Sequence, residues 1–294
     1  MRVVTRPDFD GVVCAALLMD ALDIAPPALW VQPSEVQHRR VTIKSGDVVA
    51  NLPHHEDCTL WFDHHYSNRR QRNFDGVFEI APSAAGLIYT HYRDRFDRDY
   101  AELIRQTDRI DSADLTLDEI LHPQDYPYVL LSMTVSSNDP AEAPYWDHLV
   151  SLLRTRTIEQ IMRDPQVVQR CRQVVAANIT YEAALKKHTT MRGTISLTDF
   201  RGLDPVPNGN RFLIYSLFPA CTVNVKILFD GDDMAGIKVG HSILRSGCRV
   251  NVGKMLTDFG GGGHPGAGAC RFAREKAPLY LDRILHILAR NEAD

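Results

Sequence analysis

Short apolar runs alternate with longer amphipathic stretches through the first part of the chain. Residues 3–4, 29–31, 47–50 and 60–62 read as brief strands, and 11–22 reads as a helix. Ser83, directly behind Pro82, is a good N-cap for a helix over 84–91, and helical character resumes over 99–106. Strands alternating with helices predict a mostly parallel sheet covered by helices. From residue 126 to 187 the pattern is wholly helical. Pro165 suits a first helical turn, and Val167, Val168, Cys171, Val174, Val175 and Ile179 form a helical stripe that reads as core. Near residues 188–192 the period changes. Residues 194–197, 212–217, 222–229 and 235–239 read as four strands, with a hairpin-type turn at Asp230-Gly231-Asp232-Asp233. Helices over 252–257 and 278–290 complete the chain. The expected fold class is α/β: a mostly parallel sheet flanked by helices, a helical connector, and a second smaller α/β domain with a mixed sheet. The expected domains are 1–188 and 189–294.

Composition narrows the partners. A chain of 294 residues can bury two cores. Its formal net charge of −4 gives no global attraction to nucleic acid or anionic lipid, so a polyanion must be held by local groups. The six cysteines are scattered without a Cys-x-x-Cys pair. That argues against a zinc ribbon or a disulfide framework and fits a reducing compartment. No stretch approaches the roughly 20 apolar residues of a membrane span. We therefore expect a cytoplasmic protein without a membrane partner.

Chemistry concentrates in four places. Asp8-Phe9-Asp10-Gly11 lies between the first strand and first helix, where open α/β sheets bind ligands, and its two carboxylates could converge on neighbouring metals. Helix capping by Asp8 or Asp10 is the plainer reading. Asp63-His64-His65 also follows a strand. A mixed carboxylate and imidazole set suits manganese, zinc or iron better than calcium, although a lone His-His pair is more often surface decoration. Asp108-Arg109-Ile110-Asp111 ends a helix, and either Asp108 or Asp111 could join the set; a solvated Asp/Arg helix terminus is the alternative. Finally, residues 259–268 hold four consecutive glycines and His264. Glycine backbone N–H groups can form a concave nest for phosphate, with His264 and the fork of Arg245 as further donors. Arg249 and Lys254 are auxiliary cations; a tight packed turn is the competing reading.

In this order, these motifs resemble the DHH phosphoesterase superfamily, in the branch with a DHH-associated C-terminal domain. That branch includes exopolyphosphatase-like proteins, nanoRNase/pAp phosphatases and cyclic-dinucleotide phosphodiesterases. The resemblance covers nearly the whole chain. Asp8-Phe9-Asp10-Gly11 resembles the first motif, Asp63-His64-His65 the third, and the Asp108/Asp111 cluster the fourth. Residues 242–246, followed by 260–264 and 266–268, resemble the second domain's signature. The resemblance implies two metal ions, commonly Mn2+, on Asp8, Asp10, His64 and Asp108 or Asp111. It also implies Asp63 orienting ligands and His65 facing the substrate. Ser242, Arg245, Ser246, Gly261, Gly262, Gly263 and His264 would hold the substrate, and the site would lie in a cleft between the domains.

The chain departs from the motif pattern twice. Val4 stands where the family usually has a histidine, and Asn51 where it usually has a bridging aspartate. These departures leave two, one or no metals open, with His54 or His55 as replacement ligands and Arg6 as a fixed cation in place of one metal. Two readings follow. The first is a metal-dependent phosphoesterase acting on a small phosphorylated substrate: a short single-stranded oligonucleotide, pAp, a cyclic dinucleotide or polyphosphate. The second is a non-hydrolytic binder of a nucleotide or polyphosphate. A homodimer is compatible with either.

Overall fold

The computed structural model describes residues 1–69, 73–135 and 139–293. Residues 136–138, inside the stretch predicted as wholly helical, lie outside the described residues. The chain divides into two compact units, Met1–Leu115 with Pro123–Arg172, and Thr116–His122 with Gln173–Asp294.

The first unit is built on a five-stranded sheet. Its elements are β1 (Arg2–Thr5), α1 (Phe9–Ala21), β2 (Leu29–Trp30), α2 (Pro33–Gln37), β3 (Asp47–Ala50), β4 (Leu60–Asp63), β5 (Gly76–Phe78), α3 (Ala84–His91) and α4 (Ala101–Asp111). The strand order is β2-β1-β3-β4-β5, and every pairing is parallel. Central strands of such a sheet are covered on both faces, which is why β3 is buried at all four positions. Val4, Val36, Val49 and Trp61 share one core cluster. The helix α1 is buried almost all round and packs on β1, α3 and α4. In this order the chain winds one way from β1 to β2 and the other way from β3 to β5, so the crevice beyond the carboxyl ends of β1 and β3 is the expected ligand position.

Helix α5 (Leu117–Leu121) falls in the second unit, whereas α6 (Pro127–Met133), α7 (Ala143–Thr155) and α8 (Ile158–Ile161) belong to the first, with α7 packed on α1. The long helix α9 (Pro165–His188) begins at the proline predicted to start it. Beyond it come β6 (Thr189–Arg192), β7 (Ile195–Asp199), α10 (Leu213–Leu217), β8 (Val223–Asp230), β9 (Met234–His241), α11 (Val252–Thr257), β10 (Gly262–His264), β11 (Ala267–Ala273) and α12 (Ala277–Arg290). The six strands lie in the order β10-β11-β9-β8-β7-β6, mixed because only β7 and β8 run parallel. The expected fold class is therefore found: a parallel sheet with helices, and a second mixed sheet.

Two element readings need correction. The segment predicted as a strand over 212–217 is helix α10, with Leu213, Ile214 and Tyr215 buried consecutively. Parallel strands cannot be joined by a hairpin, so the chain between β7 and β8 must cross over, and α10 lies in that crossover. The glycine stretch predicted as a loop instead contributes β10, which pairs with β11. Strand β6 lies outside the predicted strands; Gly193, at φ 62°, turns it back onto β7. Among the described residues, no helix is long and apolar enough to cross a membrane.

Candidate active site

Three segments of the first unit end at the carboxyl edge of its sheet: the turn after β1, Asn51 after β3, and Asp63-His64-His65 at the end of β4. Asp8 caps α1, in line with the plainer sequence reading: its Oδ1 accepts from the Gly11 N–H at 2.9 Å. The same oxygen accepts from Asn51 Nδ2 at 2.8 Å, and Arg6 Nε lies 3.1 Å from Oδ2. Asn51 has φ 56°, a left-handed conformation that asparagine tolerates better than most residues. Asp10 does not cap. It is buried in the first turn of α1 and accepts the Ala84 and Ala85 N–H groups at 3.0 and 2.9 Å. These are orphan donors at the start of α3, so a helix N-terminus points at this carboxylate.

The imidazole of His64 is fixed by a backbone oxygen. Its Nδ1 lies 2.9 Å from the Ala81 carbonyl, which can only accept, so Nδ1 carries the proton. Nε2 then faces Asp111 Oδ2 at 3.3 Å and Asp10 Oδ2 at 3.7 Å. One ligand atom from each of Asp10, His64 and Asp111 lies within 4.8 Å of the others. Burial, and then the charge of Asp8, pushes the Asp10 pKa up to about 7. Burial, and then Asp10, pushes Asp111 up to about 7. Two carboxylates brought this close, with an imidazole nitrogen turned toward them, repel one another when both are ionised unless a proton or a metal cation lies between them. Two carboxylates and one imidazole are a donor set that a manganese-type divalent ion accepts.

Sequence left Asp108 and Asp111 as alternatives. The structure brings Asp111 into the cluster, while Asp108 accepts from Ser83 Oγ at 2.5 Å and so braces α4 against the cap of α3. Asp63 is buried and holds His65: Oδ1 lies 2.8 Å from His65 Nδ1, and Oδ2 accepts from Asn68 Nδ2 at 2.8 Å. Burial works against protonation of His65, but the Asp63 carboxylate outweighs it and holds the imidazole pKa above its ordinary value. His54 and His55 point elsewhere. The first lies edge-on to Trp61 at 5.1 Å, and the second lies 3.7 Å from Asp57. Val4 is fully buried in the apolar core. The Ala81 carbonyl and Asn68 are not legible as site groups in the sequence. A backbone oxygen carries no side-chain identity to read, and Asn68 is one polar residue among many.

In the second unit, Ser242 Oγ accepts from the Leu244 and Arg245 N–H groups at 3.3 and 3.2 Å, shaping a turn that leaves Arg245 and Ser246 exposed. The glycines serve close packing at several positions. A Cβ on Gly261 would stand 2.2 Å from the Ala269 carbonyl oxygen, and one on Gly263 2.2 Å from that of Ala267. Gly262 differs, since a Cβ there would meet open space. His264 ends β10, next to the Pro265-Gly266 turn.

Comparison with protein-family models and with curated proteins returns no match. Solved structures do match. One is the pGpG-specific phosphodiesterase PggH from Vibrio cholerae, at TM-score 0.77 and 27% identity over 99% of each chain. Another is the DHH domain of a member of a family of ribosomal proteins, at TM-score 0.61 and 12% identity over 95% of this chain and 84% of that one. The chain has the DHH fold. RecJ from Thermus thermophilus, in complex with Mn2+, shares it at TM-score 0.60 and 13% identity over 98% of this chain, which spans 52% of RecJ. Asp63-His64-His65, the stretch whose sequence resembles the third motif, stands at the end of β4.

Proposed function

We propose that this protein is a divalent-metal-dependent phosphoesterase that hydrolyses a small phosphorylated substrate, and we place a short linear dinucleotide first among the candidates. The observation that carries this reading is the convergence of His64 Nε2 with the carboxylates of Asp10 and Asp111 at the switch point of the sheet. Likeness along the full length to a pGpG-specific phosphodiesterase supports the ranking of the substrate. Nucleoside bisphosphate, cyclic dinucleotide and short polyphosphate follow.

Asp10, His64 and Asp111 would hold the ion, with Mn2+ as the first candidate. A divalent ion held there would supply Lewis-acid polarisation of a phosphoryl oxygen and make water easier to ionise. The remaining steps belong to this chain's own side chains. His65, with Nδ1 tied to Asp63, presents Nε2 to the substrate and can give a proton to the departing oxygen. Its raised pKa keeps more of it protonated near neutrality, as a general acid requires. The Ala81 carbonyl keeps His64 from turning over and exchanging its ring nitrogens. In the second unit, Arg245, His264 and the open face of Gly262 would grip a terminal phosphate, with Ser242 shaping the turn that presents Arg245 and Ser246.

The test is product release by the purified full chain with Mn2+ on pGpG, pAp, cyclic di-AMP and short-chain polyphosphate. Turnover is expected on at least one of these and should vanish in Asp10→Asn. No turnover on any, with tight binding to one, would favour the second reading, a non-hydrolytic binder. The engagement of Asp8 by Arg6 and Asn51 is what keeps that reading in play.

A further inference from the structure

The carboxylates at the sheet edge fall into two electrically different groups. Asp10 and Asp111 face His64, and this trio carries two negative charges when His64 is neutral. One divalent ion balances it. Asp8 lies beside the trio but is already served by three protein donors: the Gly11 N–H and Asn51 Nδ2 on one oxygen, and Arg6 Nε on the other. Its charge is matched by Arg6, and a carboxylate offers about four acceptor sites in all. Asn51 adds no charge. Its amide orientation is set by Asp8, because only the NH2 side can meet a carboxylate. The guanidinium of Arg6 is partly exposed, with a side-chain exposure of 39%, so it can reach an incoming anion.

We propose that Arg6, locked onto Asp8 and backed by Asn51, is a built-in cation of the active site, so that the centre takes one divalent ion, on Asp10, His64 and Asp111, and Arg6 meets a phosphoryl oxygen directly. This rests on the phosphoesterase reading above. Arginine suits the task because its charge is permanent and its fork can bind Asp8 with one edge and phosphate with another. A fixed cation cannot dissociate, so this share of the charge stabilisation would survive metal limitation.

The test is to count ions and to read their coupling. The chelator-stripped full chain is titrated with Mn2+ by calorimetry, and the loaded protein is examined by electron paramagnetic resonance. One ion per chain with the spectrum of an isolated Mn2+ is expected. Two ions a few ångströms apart would show exchange coupling and would overturn the inference. Arg6→Ala should keep the stoichiometry of one and lower kcat/KM about 10²–10³-fold, the usual loss on removing one donor to transition-state charge. Arg6→Lys should recover only part of that loss. Unchanged kcat/KM in Arg6→Ala would overturn the role of Arg6. The double variant Arg6→Ala, Asn51→Asp should gain a second ion, and a count that stays at one would overturn the assignment of these two residues as what excludes it. Failure of the parent reading looks different. The wild type would then bind no ion, or would bind one and turn over none of the phosphorylated panel.

Discussion

Gly11 has no side chain because there is no room for one: a Cβ there would stand 1.9 Å from the Arg6 carbonyl oxygen and 2.9 Å from Thr5 Oγ1. Alanine is the better helix former by about 1 kcal/mol. Backbone atoms cannot swing away as a flexible side chain can, so the clash wins. We expect Gly11→Ala to destabilise the protein by about 1–3 kcal/mol in urea denaturation and to displace the Arg6–Asp8 turn, lowering activity as well. Full stability in that variant would refute the packing argument. Asp63 poses a separate question. Asp63→Asn keeps the shape but removes the charge that holds His65 in one tautomer. Turnover should fall about 10²-fold or more with little change in KM, and the limb of the pH–rate profile that His65 sets should move to lower pH, since the partner that raises its pKa is lost. An unmoved profile would take His65 out of proton transfer.

At the scale of the element, the β10–β11 hairpin separates two uses of glycine that look identical in sequence. Gly263 has φ 150° and its missing Cβ would press on the Ala267 carbonyl, so Gly263→Ala should cost about 1–3 kcal/mol in stability. Gly262→Ala should be close to neutral, within about 0.5 kcal/mol, because nothing is in its way. If the open face of Gly262 meets the substrate phosphate, this variant should still raise KM. Thermal melts and initial rates on the same two proteins check both statements. A Gly262→Ala variant with unchanged KM would leave phosphate binding to Arg245 and His264.

At the scale of the whole molecule, the paired carboxylates link stability to pH and metal. Asp10 and Asp111 have folded pKa values of about 7, against roughly 4 in an unfolded chain. A raised carboxyl pKa contributes stability below the unfolded value and loses it as pH rises through the folded one. The metal-free protein should therefore lose stability from this pair between about pH 4 and 7. An ion that binds only the folded, ionised pair restores it, by about 2.7 kcal/mol at a hundred times its Kd. The gap in Tm with and without Mn2+ should widen as pH rises from 5 to 7, and should close in Asp10→Asn. A gap that does not change with pH would mean that these carboxylates do not bind the ion.

Features set by short-range forces are legible in the residues themselves. The cap at Ser83 and the helix behind it, the strand over 47–50 and the helix over 252–257 depend on neighbours a few residues away, and they stand where the pattern put them. The ordered motifs also carried the DHH resemblance, because each sits at a strand end or turn that local pattern marks. Which side chains meet is settled by long-range packing. Asp108 and Asp111 are three residues apart and nearly share one face of α4, so which reaches His64 depends on how that helix docks. The turn of 212–217 into a helix follows from the parallel pairing of β7 with β8, which no local window contains. The bond from Asn51 to Asp8 spans 43 residues and exists because β1 and β3 are neighbours in register. Periodicity and caps are written in adjacent residues, whereas convergence at a site is set by strand order and helix docking, which the folded molecule alone fixes.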